Sequence, residues 1–234
     1  MRPFVSVIIP TYNNARTLSL VLIDAEHYLK SLQVPHEIII VDASSVDATP
    51  EIAKRYAQLM GSVKYRQIDK NKNIGAAAKA GLKYAHGKWL VVLAPEAGVS
   101  LNEFGKALHH LENGADVALG SRSMSRSHSI GAGLQIVKKF SRLFHNLIIR
   151  AIAPTGIFDT GGGFVCLRSG VAKNILDKTK IDTAGWLIEL LLIAKKDGLK
   201  IKEFPICVSE SRKINFGYYR ESLADTVAIL KNKF

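Results

Sequence analysis

Three short apolar runs in this sequence each end in a turn whose side chains suit a polar ligand. Val5–Ile9 runs into Pro10-Thr11-Tyr12-Asn13-Asn14, Glu37–Val41 into Asp42-Ala43-Ser44-Ser45, and Lys88–Leu93 into Ala94-Pro95-Glu96-Ala97. Asp42 follows its run directly, where a carboxylate accepts hydrogen bonds from a nucleobase or a ribose; an Asp that only braces an Asx turn fits the same place. Glu96 offers a hard oxygen to a divalent cation, with a solvated loop glutamate as the plainer alternative. Further along, no Asp or Glu occurs from Val117 to Phe158, while Arg122, Arg126, Lys138, Lys139, Arg142 and Arg150 do. A guanidinium grips phosphate oxygens with a planar fork and keeps its charge; a wet basic face carries the same residues. In FDTGGGF (Phe158–Phe164), Asp159 is followed by Gly161, Gly162 and Gly163, which permit close backbone approach or unusual φ.

The elements that must position these residues alternate. Buried strands are expected at Val5–Ile9, ended by Pro10, at Glu37–Val41 and at Lys88–Leu93, with weaker ones at Val63–Gln67 and Asp116–Leu119. Helical patterns lie between them, at Arg16–Leu32, from Thr49 as N-cap and Pro50 to about Leu59, at Gly75–Ala85 and at Leu101–Glu112. This alternation predicts a mainly parallel sheet with helices on both faces. In such sheets ligands gather at the carboxyl ends of the strands, so the turns after Ile9, Val41 and Leu93 belong to one site. The second half continues with helices near Gly170–Leu176 and Trp186–Lys195, a strand at Ile201–Ile206 and a helical tail at Tyr218–Lys231. Without repeats or low-complexity linkers, residues 1–234 are expected to form one domain, divided at about residue 120 into a ligand-binding half and a specialised half.

Composition narrows the partners. The 32 Lys and Arg against 20 Asp and Glu give a net charge of +12, which favours nucleic acid, an anionic membrane face or phosphorylated substrates. No RNA- or DNA-binding motif accompanies that charge, which argues against nucleic acid. Cys166 and Cys207 stand far apart, outside any zinc-type spacing, and imply no disulfide. The N-terminal apolar run is too short for a signal peptide, and no stretch reaches the roughly 18 apolar residues of a membrane span, so a soluble or peripheral protein is expected. Between Leu134 and Ile152 apolar residues recur at helical spacing among cationic ones; a helix in a bilayer interface and a core helix with one wet side share that pattern.

In order along the chain, VSVIIPTYNN (Val5–Asn14), EIIIVDASSVDAT (Glu37–Thr49), NIGAAAKAGLKYAHGKWLVVL (Asn73–Leu93), GSR (Gly120–Arg122), FDTGGGF, GWLIELLLIAKKDGLKIKEFPI (Gly185–Ile206) and SRKINF (Ser211–Phe216) resemble the family 2 glycosyltransferases. The last three are most similar to dolichyl-phosphate mannose synthases and dolichyl-phosphate glucosyltransferases. The resemblance implies an α/β fold of the GT-A type, Rossmann-like and mainly parallel. It also implies inverting transfer of a hexose from a nucleoside-diphosphate sugar to a polyprenyl phosphate at the cytoplasmic face of a membrane. A separate membrane subunit would be a further partner. By the same resemblance Pro10, Tyr12, Asn14, Asp42, Arg212 and Lys213 hold the nucleotide sugar, Glu96 supports Mg2+ or Mn2+, Arg122 and Arg142 meet phosphate groups, and Asp159 organises the centre. Glu189 would either face the sugar or pair with a Lys. Two positions depart from the family pattern: Ala43 and Ala94 stand where acidic residues are usual. These departures motivate a second reading, a nucleotide-binding protein on the same scaffold that no longer turns over, and an active enzyme with a water-soluble acceptor is a third.

Overall fold

Apolar runs that do not alternate with polar residues need cover on both faces of a sheet, and the computed structural model supplies it. It describes residues 2–69, 73–122, 124, 157, 159–161, 163–208 and 224. In chain order the elements are β1 (Val5–Thr11), α1 (Leu18–Ser31), β2 (His36–Asp42), α2 (Thr49–Leu59), β3 (Val63–Gln67), α3 (Ile74–Tyr84), β4 (Trp89–Leu93), α4 (Phe104–Glu112), β5 (Val117–Ser121), β6 (Phe164–Arg168), α5 (Ser169–Leu176), α6 (Trp186–Lys196) and β7 (Ile201–Pro205). The strands form one sheet in the order β3-β2-β1-β4-β6-β5-β7.

Side-chain alternation splits the core into two layers. Val5, Val7 and Ile9 of β1 and Ile38 and Ile40 of β2 pack with Leu18, Leu22 and Leu29 of α1 and with Phe104 and Leu111 of α4. Ile8, Ile39 and Val41 point the other way, onto Ala77, Ala78 and Leu82 of α3, while Leu90 and Val92 meet Ile175 of α5 and Leu190 of α6. These leucines and isoleucines are at most 1% exposed, and each such burial contributes about 1.5–3 kcal/mol.

The sheet is parallel except at β6, which runs antiparallel to both β4 and β5. A strand of reversed direction begins at the edge where its neighbours end. Phe164 therefore lies opposite Leu93, the last residue of β4, and the residues just before it arrive at the same edge as Ala94 and Arg122. Composition did not signal this reversal, because β6 (FVCLR) is as apolar as the parallel strands.

Three local expectations need correction. Pro10 does not end β1; the strand runs through Thr11 in register with Asp42. The ladder to β4 stops at Ile8, and Thr11 O accepts the Ala43 N–H on the β2 side, so Pro10 faces the side where no amide donor is called for. The N-cap of α2 is Ala48 rather than Thr49; Asp47 Oδ1 accepts the Thr49 N–H at 3.0 Å and does the capping. Leu101–Glu112 is not one helix but a 3-10 turn, Leu101–Glu103, leading into α4. Asp24 of α1 sets that turn by accepting the Ser100 hydroxyl and the Leu101 N–H, at 2.9 and 3.2 Å.

Candidate active site

At the carboxyl edge of β1 and β2, two loops are laced together. The Asn13 N–H donates to Ser45 Oγ at 2.9 Å, Asn13 Oδ1 accepts the Val46 N–H at 3.0 Å, and the Asn14 N–H donates to Thr49 Oγ1 at 2.8 Å. Asn13 and Ser44 hold left-handed φ values of 53° and 59°, a conformation that Asn tolerates and that Ser44 meets by donating its hydroxyl to Ile68 O at 2.6 Å. Asp47 Oδ2 accepts the Ala15 N–H at 3.2 Å. Burial alone would raise the Asp47 pKa, but donors from Thr49 and Ala15 outweigh it and hold the carboxyl below its ordinary value.

Asp42, the last residue of β2, is fully buried beneath these loops. Its carboxylate accepts the Ser45 hydroxyl and, at 3.2 Å, the Ser45 N–H, and the Tyr65 phenol of β3 donates to Oδ2 at 3.4 Å. Burial, then the negative charge and hydrogen bond of Asp42, push the Tyr65 phenol up to about 12. The structure thus shows the Asx-turn role of Asp42, with the turn fixing its carboxylate. Tyr12, which follows β1 at this edge, is 52% exposed. Asn14 turns its Oδ1 back onto the Tyr12 N–H at 3.0 Å, so it shapes the turn that presents Tyr12.

The second part of the edge lies between β4 and β6. Pro95–Ala97 forms a 3-10 turn, and the Ala94 N–H donates to Gly163 O at 2.9 Å. Gly163 has φ 72°, and a Cβ there would collide with Ala97, so this turn and the glycine require one another. Pro10, Ala94, Glu96, Gly161, Phe164 and Trp186 line an open cleft of about 520 Å3, solvent included. Glu96 is exposed on its rim.

Behind the cleft wall sits the tightest ion pair of the site. Asp159 is 1% and the Arg122 side chain 7% exposed. Asp159 Oδ2 accepts the Arg122 backbone N–H at 2.9 Å and Nε–H at 2.7 Å; Oδ1 accepts Arg122 Nη2–H at 2.7 Å and the Gly161 N–H at 3.0 Å. Glu203 of β7 accepts the Asp159 N–H at 3.0 Å. Burial would raise the Asp159 pKa, yet the Arg122 charge and these donors bring it below the usual value. A Cβ on Gly161 would stand 2.7 Å from Arg122 Nη2, so a larger residue there would press on the guanidinium of the pair.

The chain thus brings Pro10, Tyr12, Asp42, Glu96, Arg122 and Asp159 to one carboxyl edge. Thr11 is paired with Asp42, Pro10 shares the cleft with Glu96 and Gly161, and Gly161 rests on Arg122 and Asp159. Arg142, Arg212, Lys213 and segment 134–152 lie outside the described residues. Glu189 takes neither expected role. It is buried in α6 and accepts the Lys180 and Ile181 backbone N–H groups at 2.9 and 2.8 Å, bracing the loop before the helix. Sequence reasoning passed over Asn13, Ser45, Asp47, Tyr65 and Glu203. The Asn-Asn and Ser-Ser-Val-Asp turns signalled the first three, whereas Tyr65 and Glu203 stand on strands where only the pairing brings them in.

Seven strands in this order, one of them reversed, with a cleft at their carboxyl edge define an α/β protein of the GT-A architecture. Glucosyl-3-phosphoglycerate synthase from Mycobacterium tuberculosis, solved with Mn2+, UDP and phosphoglyceric acid, superposes with a TM-score of 0.72 over 98% of this chain and 78% of that chain, at 15% identity. Residues 6–174 match the family model described as glycosyl transferase family 2, and the chain belongs to that family. Among curated relatives it is 28% identical to dolichyl-phosphate beta-glucosyltransferase of Dictyostelium discoideum over 87% of this chain, and 27% identical to the Homo sapiens protein of the same name over 86%. It spans about 65% of the length of these relatives. Among the described residues no helix is long and apolar enough to cross a membrane.

Proposed function

We propose that this chain is an inverting hexosyltransferase that moves a sugar from a nucleoside diphosphate to the phosphate of a polyprenyl lipid. The observation that carries the reading is the shared carboxyl edge, where the buried Asp42 carboxylate, the exposed Tyr12 ring and the Arg122–Asp159 pair stand at strand ends on the edge that also carries the cleft lined by Pro10, Glu96 and Gly161. In this reading Asp42 accepts hydrogen bonds from the nucleoside, Tyr12 and Pro10 cover it, and Asn14 and Ser45 keep the turn in shape. Arg122, aligned by Asp159, meets the acceptor phosphate together with Arg142, while Arg212 and Lys213 offset the departing diphosphate. One acceptor oxygen forms a bond to the anomeric carbon as the bond to the diphosphate oxygen breaks, from the opposite side. The acceptor is already an anion, so no strong general base is needed; alignment and charge compensation do the chemistry.

The Mg2+ or Mn2+ expected at Glu96 meets a poor fit. Position 94 is alanine, Asp159 already accepts four N–H groups, and among the described residues Glu96 is the carboxylate that lines the cleft. No step is therefore routed through an ion. The lipid acceptor and a membrane-facing segment at 134–152 rest on the relatives' names and on the cationic amphipathic pattern; nothing supports a separate membrane subunit.

Incubation with labelled UDP-glucose or GDP-mannose and a short polyprenyl phosphate is expected to give a butanol-soluble labelled product. The alanines at 43 and 94 favour a second reading, a nucleotide-binding protein without turnover. Saturable UDP or GDP binding with no product from any donor would establish it. Liposome flotation that is unaffected by Lys138→Ala with Lys139→Ala and Arg142→Ala would remove the membrane-facing segment from the proposal.

A further inference from the structure

The Arg122–Asp159 pair is tied to the edge strand of the sheet. β7 is the last strand in the sheet order, and Glu203 on it pairs in parallel register with Leu119 of β5. Residues paired in this way share a face, so Glu203 stands in the layer where Leu119 packs with Val165 and with Leu187 and Leu190 of α6. A carboxylate half-buried there loses hydration and needs donors. The Asp159 backbone N–H is one of them, 3.0 Å from Glu203 Oε1. The Asp159 carboxylate in turn accepts the backbone N–H and the guanidinium of Arg122. Because Arg122 directly follows β5, these contacts close a ring: β5 pairs with β7, Glu203 of β7 holds the backbone of Asp159, and Asp159 holds the residue at the end of β5.

A carboxylate–guanidinium pair fixes two side chains relative to each other; it does not by itself fix the main chain that carries the carboxylate. The Glu203 contact supplies that second anchor, because it acts on the backbone of Asp159. What is anchored reaches the cleft. Thr160 and Gly161 line it, the Gly161 N–H donates to Asp159 Oδ1 at 3.0 Å, and a Cβ on Gly161 would stand 2.7 Å from Arg122 Nη2. Glu203 is not among the described residues of that lining. We propose that Glu203 is a positioning residue of the transfer site: it holds residues 159–161 in place and through them aims Arg122 at the acceptor phosphate. The proposal rests on the role given to Arg122 above and deepens it. What the contact requires is an acceptor oxygen at the reach of a glutamate. Gln supplies that oxygen without the charge, while Asp keeps the charge and draws the oxygen back by one methylene.

The test measures steady-state transfer from labelled UDP-glucose or GDP-mannose to a short polyprenyl phosphate by the full chain and its Glu203→Gln and Glu203→Asp variants. Hydrogen exchange of the amides of residues 159–161 is followed beside it. Glu203→Asp is expected to lower kcat/KM for the acceptor by about 10- to 100-fold, the scale of a misplacement near 1 Å. Its KM for the nucleotide sugar is expected to stay unchanged, since Asp42 and Tyr12 stand at the ends of β1 and β2. Glu203→Gln is expected to stay within about fivefold of the unaltered protein, because a neutral acceptor keeps the hydrogen bond. Exchange at residues 159–161 is expected to be about tenfold faster in Glu203→Asp, the scale of one charge-assisted hydrogen bond, and nearly unaltered in Glu203→Gln. A Glu203→Asp variant with full acceptor kcat/KM overturns the proposal. So does one whose donor KM, acceptor kcat/KM and urea midpoint all worsen together, which marks a general loss of structure. A Glu203→Gln variant as impaired as Glu203→Asp overturns the assignment to a hydrogen bond. If the unaltered protein forms no product, the proposed transfer falls, and the exchange rates alone decide whether Glu203 holds the loop: equal rates in all three proteins overturn that as well.

Discussion

The two parts of the carboxyl edge are built on opposite plans. At the ends of β1 and β2, a buried carboxylate is held by the Ser45 turn and by Tyr65 of β3, and Tyr12 on the same edge is exposed. At the ends of β4 and β5, the buried carboxylate is directed inward, locked to Arg122, and the rim retains one exposed Glu. The first part is held by hydrogen bonds of its turns; the second is held by a buried ion pair. Losing a carboxylate at position 94 therefore alters the edge without loosening it, since Ala94 still donates its N–H to Gly163.

This contrast is sharpest when each carboxylate is removed. Asp159→Ala removes the buried carboxylate that accepts three Arg122 N–H groups, and is expected to lower stability by about 3–5 kcal/mol, read as a shift in urea unfolding. Adding Arg122→Met to that variant is expected to recover a large part of the loss, since the buried guanidinium is removed with its carboxylate. A stable Asp159→Ala protein that merely binds nucleotide weakly would erase the distinction between the two parts. Asp42→Asn keeps the shape and removes the charge, and is expected to weaken nucleotide binding by about 1.5–3 kcal/mol, or roughly 10- to 150-fold, with a smaller effect on unfolding. Tyr65→Phe removes one long hydrogen bond to Asp42 and is expected to weaken binding by about 0.5–1.5 kcal/mol. An effect on stability alone would make Tyr65 a packing residue.

Acid sharpens the same comparison more gently. Asp159 is held below its ordinary value of 3.8, so the native state keeps it ionised when the unfolded chain has begun to protonate. Its contribution is complete above that ordinary value and is lost as pH falls through the lower, folded value. Unfolding free energy measured from about pH 5 to pH 2 is expected to decline, and Asp159→Asn is expected to flatten part of that slope.

Much of the fold was legible because it rests on local rules. Continuous apolar runs such as EIIIV and KWLVVL announce strands buried on both faces, and the helical patterns between them dictate crossovers. The place of Asp42 and Tyr12 at the carboxyl edge was legible for the same reason: each stands at the end of a strong apolar run. Asp159 was legible as a residue of consequence but not in its partner, because Arg122 lies 37 positions away and only the β5–β6 pairing joins them. Glu189 was misread because its acceptors' targets are backbone N–H groups, which every residue carries and no sequence pattern marks.

The sequence by itself determined the layers, the existence of the strands and the residue types at the rim, since hydrophobic period and turn chemistry act over a few neighbours. Tertiary structure alone decided the direction of β6, and through it which carboxylate faces the cleft and which is absorbed by an arginine. Strand direction is chosen by the whole sheet, where hydrogen-bond pairing and burial are satisfied together, and a five-residue apolar segment carries no mark of it.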